Sequence, residues 1–494
     1  MSAITSYARA MAVAAQVAQP IATVRHVHVA DRPLVFVPLT LAGEANAPLA
    51  ALVGDAEDVP RLLVVPQPRD RTQRFAFAAE LADVVVGYLT SFCGAADEIK
   101  GQVCFRNAPQ ILVPNPAGVG FVKLFGRSTR FRSTTGPYAV APNVPLLGRW
   151  LTWFAERAEH PGSANLLAMT EVLSMHWATG QSAIEDANLA AQLGWISPPP
   201  GRTGPQAARD AEDPLLWPPA GPTTDPVFDN EILAPAIRNY SGTEPGSPSQ
   251  ARAVERLRQA LHSQLEPTWR LMWHGVARLR ELTAGASVEG RWIDDRLRFT
   301  GFHEYLVDGG LPQARRDGAI AAARRLNRLE RAQLAYDVAR AFDDPLVMAN
   351  HRAAGEAFLC TVTDVERERR VANANGNAVT RPLIVVRTAD PALIAPGAEV
   401  RAVSRQQQKA VVVAVDPQPA GADVSLEIQS GMGRSKTPPP GTVPEIGETL
   451  IYTAVLADSI PSPKLPDAED TPWTHGGPPQ PYVPSDDDAT EVWE

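Results

Sequence analysis

From Ile21 to Pro66 short apolar runs alternate with polar breaks. IATVRHVHVA, RPLVFVPLTL and RLLVVPQP are β-branched, bounded by Pro, Gly or Asp, and predict strands. The intervening LAGEANAPLAALVGDAEDVP predicts a short helix. In RFAFAAELADVVVGYLTSF, Phe77, Leu81, Val84, Val85, Leu89 and Phe92 recur at helical spacing. GQVCF, QILVP and GFVKLF again predict strands. This alternation predicts an α/β domain over residues 21–146, preceded by an alanine-rich helix in residues 1–20.

Residues 147–197 predict a helical subdomain, from LLGRWLTWFAERAEH through ANLLAMTEVLSMHWATG to SAIEDANLAAQLGWI. Ser182 and Glu185 have the spacing of a capping box at the start of the last helix. Residues 198–250 are proline-rich and aperiodic, the pattern of a linker. Residues 251–350 predict a helical hairpin. Its first helix covers Ser249 to Ala284 and is kinked at Pro267; its second covers Leu311 to Phe342; EGRWIDDRLRFTGFHEYLVDGG joins them. After Pro345 the period changes to two, and six short strands predict a small β-barrel over residues 351–455. The expected fold class is therefore mixed α/β and multidomain: an N-terminal α/β domain, a helical subdomain, a long helical hairpin, a small C-terminal β-barrel and an acidic disordered tail at 456–494.

The helical pair and the strand series DDPLVMANHRAAGEAFLCTVTDVE, RPLIVVRTAD, EVRAV, VVVAVD and GETLIYTAV resemble, over residues 250–455, the stalk-and-barrel insertion of superfamily-one helicases of the nonsense-mediated-decay type. The motor that surrounds this insertion in those helicases has no counterpart in the sequence. What the resemblance implies is an accessory subunit related to a helicase, or working beside one.

Charge is distributed unevenly. The formal net charge is −9, yet from Asp458 onward nine acidic residues face Lys464 alone. Between Glu98 and Glu156 there is no acidic residue, while Lys100, Arg106, Lys123, Arg127, Arg130, Arg132 and Arg149 are all cationic. Within that stretch, cations alternate with Phe121, Phe125, Phe131 and Tyr138. Cations can contact phosphates, and aromatics can stack on bases of a single strand. Lys123, Arg127, Arg130, Phe131 and Arg132 are the expected nucleic-acid or phosphate contacts. In the tail, Asp486, Asp487 and Asp488 precede Val492 and Trp493. This resembles the acidic tails of bacterial single-strand-binding proteins, in which negative residues steer and an apolar tip docks in a partner.

Other chemistry finds little support. NPAGVGFVKL has Gly118 and Gly120, but Lys123 falls where a dinucleotide fingerprint needs its third glycine. In GMGRSKT, Ser435 occupies a position that a P-loop reserves for glycine. His26 and His28 would share a face of a strand, without a third ligand placed by spacing. Asp83, Glu98 and Lys100 have the residue types of a metal-dependent nuclease, with two carboxylates for magnesium and a lysine for the attacking water. Three cysteines exclude a disulfide scaffold and suit a reducing interior, and no apolar run reaches the ~18 residues of a membrane span.

Together these features predict a cytoplasmic, non-enzymatic accessory or adaptor protein of a bacterial nucleic-acid-processing or defence complex, without a cofactor. Its basic stretch, 99–155, would bind single-stranded nucleic acid or a partner, and its tail would recruit a protein such as a helicase or other motor ATPase. Two alternatives follow from the same residues. One is a structural or assembly protein in which the basic stretch pairs with the acidic tail within or between subunits. The other is the nuclease.

Overall fold

In the computed structural model, residues 3–457 are described except 45, 100, 316, 373–375 and 434–436, as are residues 464–467. The chain is mixed α/β and divides into two compact units, one of which contains Ala8–Ala332 and the other Gln333–Pro463. Among the described residues no helix is long and apolar enough to cross a membrane.

The first unit is built on a five-stranded sheet in the order Arg61–Val64, Pro48–Gly54, Leu34–Thr40, Ile111–Val113, Leu166–Ala168. The first three strands are antiparallel and the last three parallel. Both faces are covered. Leu34, Phe36, Ala51 and Val53 face the helices Arg71–Thr90, Pro116–Thr129 and Asn143–Ala158. Val35, Val37, Leu39 and Leu52 lie in a second core with the helices Leu189–Ile196 and Pro248–Arg280. A doubly covered sheet has no polar face. That is why PLAALVG reads as helical in the sequence yet forms the strand Pro48–Gly54, buried along nearly its whole length.

Three further elements differ from the sequence expectation. Residues 21–30 form no strand beyond an isolated bridge of Arg25 with Ala284: the His26 N–H donates to His176 Nε2 (3.0 Å) and the Ala30 N–H to Gln110 Oε1 (2.9 Å), side-chain partners that interrupt a ladder. GFVKLF is part of the helix Pro116–Thr129, which Asn115 caps and Pro116 opens. The supposed connection EGRWIDDRLRFTGFHEYLVDGG contains a helix, Val288–Val307. Its buried face mixes Trp292 and Phe299 with Asp295 and Arg296, so charge breaks the apolar period. Asp295 accepts from Arg157 (2.8 Å), Ser163 Oγ (2.8 Å) and the Ala164 N–H (2.6 Å), and these bonds offset its burial.

The proline-rich residues 198–250 lie inside this unit. The Thr40 N–H donates to the Pro222 carbonyl (2.8 Å) and Asn115 Nδ2 to that of Gly221 (2.9 Å), fixing the segment at the carboxyl ends of two parallel strands. The Ser182–Glu185 capping box is present, but only a turn of 3-10 helix follows; Asn188 caps the α-helix Leu189–Ile196. The Pro248–Arg280 helix runs through Pro267 without interruption.

The second unit is a closed antiparallel barrel of six strands in the order Ala357–Glu366, Leu383–Thr388, Gly421–Ile428, Arg405–Gln418, Glu399–Ala402, Thr449–Thr453. Alternate residues fill it, among them Phe358, Cys360, Val362, Ile384, Val386, Val424, Leu426 and Tyr452. Register shifts at Val362/Asp364 and Val412/Ala414 supply the local bends that closure requires.

The helices Pro116–Thr129 and Asn143–Ala158 meet backbone to backbone. A Cβ on Gly126 would lie 2.8 Å from the Thr152 nitrogen, and one on Gly148 would overlap the Arg130 amide. Gly120 faces open space on the same helix. Gly148→Ala is therefore expected to destabilise the fold by about 3 kcal/mol through forced separation of the helices. Gly120→Ala should stabilise it by up to about 1 kcal/mol from helix propensity. Urea denaturation of both variants checks the contrast.

Candidate functional site

From Pro116 onward the basic stretch folds as helix, turn and helix rather than as an extended strand. On Pro116–Thr129, Phe121, Val122 and Phe125 point into the core. Lys123 and Arg127, four residues apart, share the exposed side. Arg130 is the C-cap residue, and beyond it Phe131 and Arg132 are buried. Phe121, Phe125 and Phe131 are thus unavailable as stacking platforms for bases. Tyr138 is exposed, with the Arg71 guanidinium 5.5 Å from its ring centre.

Three of the arginines act inside the protein. Arg130 donates from Nε to the Gln313 carbonyl (2.9 Å) and from Nη2 to that of Ala314 (3.1 Å). Arg149 donates to the Gly310 carbonyl, while Gln313 Nε2 donates back to the Arg149 carbonyl (2.9 Å). Arg132 donates to the Ser128 carbonyl (2.8 Å) and lies 5.1 Å from the Phe75 ring centre. The carbonyl dipoles that accept these bonds carry no net charge, and Arg149 Nε is buried without a hydrogen-bond partner among the described residues. Burial also depresses the Arg149 pKa.

The clamp brings a distant segment to the helix pair. Arg315 sits over the Phe131 ring at 5.1 Å, and Arg130 lies 4.8 Å from the same centre. Arg325, on the Ala319–Asp343 helix, pairs with Glu159 and with Asp317 (3.5 Å). Lys123 reaches Glu159 as well (2.6 Å). The result is a cavity of about 240 Å³ whose charged lining is Lys123, Arg127, Arg130, Arg315 and Arg325 against Glu156 and Glu159. Arg127 is exposed, and no side-chain hydrogen bond or ion pair among the described residues engages it. Five cations against two carboxylates leave a site suited to an anion with several oxygens, which guanidinium groups bind through paired N–H donors.

The two acids differ. Burial would raise the Glu159 pKa, but Lys123 and Arg325 outweigh it and hold the group below its usual range. Glu156 is reached by solvent through the cavity but has protein around most of it. Burial pushes its pKa up, against the pull of Arg325 and Arg130. Sequence reasoning located Lys123, Arg127 and Arg130 and missed Arg315, Arg325, Glu156 and Glu159. A usable signal was present: residues 315–331 carry six arginines against Asp317 and Glu330.

The other candidate residues lie elsewhere or are engaged. Asp83 accepts from Asn143 Nδ2 (2.7 Å), and Asp97 pairs with Arg106 (3.0 Å) and Arg296 (3.0 Å). Glu98 lies on a two-stranded hairpin, and Lys100 falls outside the described residues. Among the described residues no group of three or more His, Cys, Asp or Glu side chains is placed to hold a metal ion. His26 stacks on His176 with ring centres 5.5 Å apart. His28 stacks on Trp292 at 3.9 Å; burial, reinforced by Arg25 and opposed by Asp31, lowers its pKa to about 4. The first-turn N–H of Gly118 is already taken by the Asn115 side chain (3.1 Å). The three cysteines are free, Cys104 and Cys360 buried and Cys93 partly so. Asp486, Asp487, Asp488, Val492 and Trp493 lie outside the described residues.

Compared with known proteins, the chain matches no family model, no curated sequence and no solved structure.

A carboxyl group whose folded pKa exceeds its unfolded value favours the folded state most when protonated, and this contribution fades as pH rises through the folded pKa. Glu156→Gln should therefore stabilise the fold at pH 7 and leave it unchanged well below the ordinary carboxylate pKa. Urea denaturation of both proteins at pH 7 and in acid measures the difference.

Proposed function

We propose that the chain binds single-stranded nucleic acid at this cationic cavity, as a non-enzymatic accessory subunit of a nucleic-acid-processing or defence complex. The observation that carries the reading is the convergence of Lys123, Arg127 and Arg130 with Arg315 and Arg325, nearly 200 positions away, around one opening. Neutralising phosphates releases condensed counterions, so affinity of this origin falls steeply with salt. With its phenylalanines buried, the site offers charge rather than base stacking, and little base preference is expected. The acidic residues 458–494 favour a second reading, in which they occupy the same cations in place of a ligand.

Fluorescence anisotropy with a labelled twelve-residue oligo(dT) and the matching oligo(U) tests both. Arg127→Glu should weaken binding about tenfold at 50 mM salt and flatten the salt slope by roughly one. Absence of binding at low salt, or binding indifferent to both salt and Arg127, would remove the nucleic-acid reading. If the chain without residues 468–494 binds and the whole chain does not, the second reading is favoured.

A further inference from the structure

A second cavity, of about 370 Å³, opens beside the first and shares two of its wall residues, Glu156 and Arg325. Its other charged lining comes from three elements: Arg157 and His160 at the end of the Asn143–Ala158 helix, Arg298 on Val288–Val307, and Asp317 and Arg328 around the start of Ala319–Asp343. Arg157 is held by Asp295 (2.8 Å) and so serves the fold. Arg298 and Arg328 are exposed, and no side-chain hydrogen bond or ion pair among the described residues engages either. Arg325 stands between the cavities, tied to Glu159 on the first side and to Asp317, which lines the second. Exposed guanidinium groups therefore line both neighbouring cavities: Arg127 the first, Arg298 and Arg328 the second.

Two exposed arginines that line one cavity can both donate to an anion seated in it. One phosphate in the first cavity would leave Arg298 and Arg328 unsatisfied. We propose that the two cavities are consecutive phosphate subsites, so that the ligand is a phosphodiester chain of at least two phosphates running from Arg127 past Arg325 to Arg298 and Arg328. This rests on the nucleic-acid reading above and adds the path of the strand and a minimum length. Arg325 exchanges its carboxylate partners for the phosphodiester as the strand is seated. The carboxylates of Glu156, Glu159 and Asp317, which also line the cavities, repel a phosphate placed against them.

The test is competition against labelled oligo(dT) on the full chain, using thymidine 5′-monophosphate, the 5′-phosphorylated dinucleotide pTpT and inorganic phosphate. In the unmodified protein, pTpT should compete at least tenfold better than the monophosphate, and inorganic phosphate should compete no better than the monophosphate. The double variant Arg298→Glu, Arg328→Glu should lose that advantage, so that pTpT and the monophosphate compete alike. Arg127→Glu should weaken all of them. Both altered sites are exposed, and thermal melts confirm that the variants fold. Equal competition by pTpT and the monophosphate, or an advantage of pTpT that survives the double variant, overturns the two-subsite inference while leaving single-site binding in place. Failure of the unmodified protein to bind oligo(dT) overturns both.

Discussion

The placement of Lys123, Arg127 and Arg130 against Glu156 and Glu159 depends on the contact between two glycines and the helix backbones they face. Gly126 and Gly148 let the Pro116–Thr129 and Asn143–Ala158 helices approach without intervening side chains. The close crossing carries the Arg130 backbone onto the second helix and leaves the Arg130 side chain under the chain at 313–314. It also sets Lys123 beside Glu159. Separation of the helices by one methyl group would shift the two walls of the cavity relative to each other, and interiors packed to crystal density transmit such a shift.

The arginines divide into those that build the cleft and those that face it. Arg130, Arg132 and Arg149 each donate to main-chain carbonyls. Carbonyl dipoles compensate the loss of water around a guanidinium but carry no net charge, and of the three only Arg130 lines the first cavity. Where carboxylates do occur, Glu159 is shared between Lys123 and Arg325, and Glu156 is held against the cost of its surroundings.

The barrel was legible in the sequence because each of its strands has one face inward, so apolar and polar residues alternate, as in AFLCTVTDVE and GADVSLEI. All six expected strands occur. The α/β unit was less legible for the same physical reason in reverse. Strands covered on both faces lose their alternation, which hid Pro48–Gly54. Paired buried charges such as Asp295 and Arg296 interrupt a helical stripe, which hid Val288–Val307. GFVKLF reads as a strand until Asn115 and Pro116 are recognised as a helix start. Half of the candidate site could be found as a gap in acidic residues. Arg315 and Arg325 could not be attached to it, because only the folded chain brings residue 313 to residue 130.

The central claim is that the uncancelled charge between the helix pair and the 310–332 segment is a binding surface for nucleic acid. Hydrogen exchange of the full chain, with and without a saturating oligo(dT) strand at low salt, reads this directly, because ordering of a segment by a ligand slows its local opening. Slower exchange at 310–332 and around Arg127–Arg132, with the barrel strands 357–453 unchanged, is the expected result. Protection confined to the barrel, or none anywhere while the strand is bound, would contradict it.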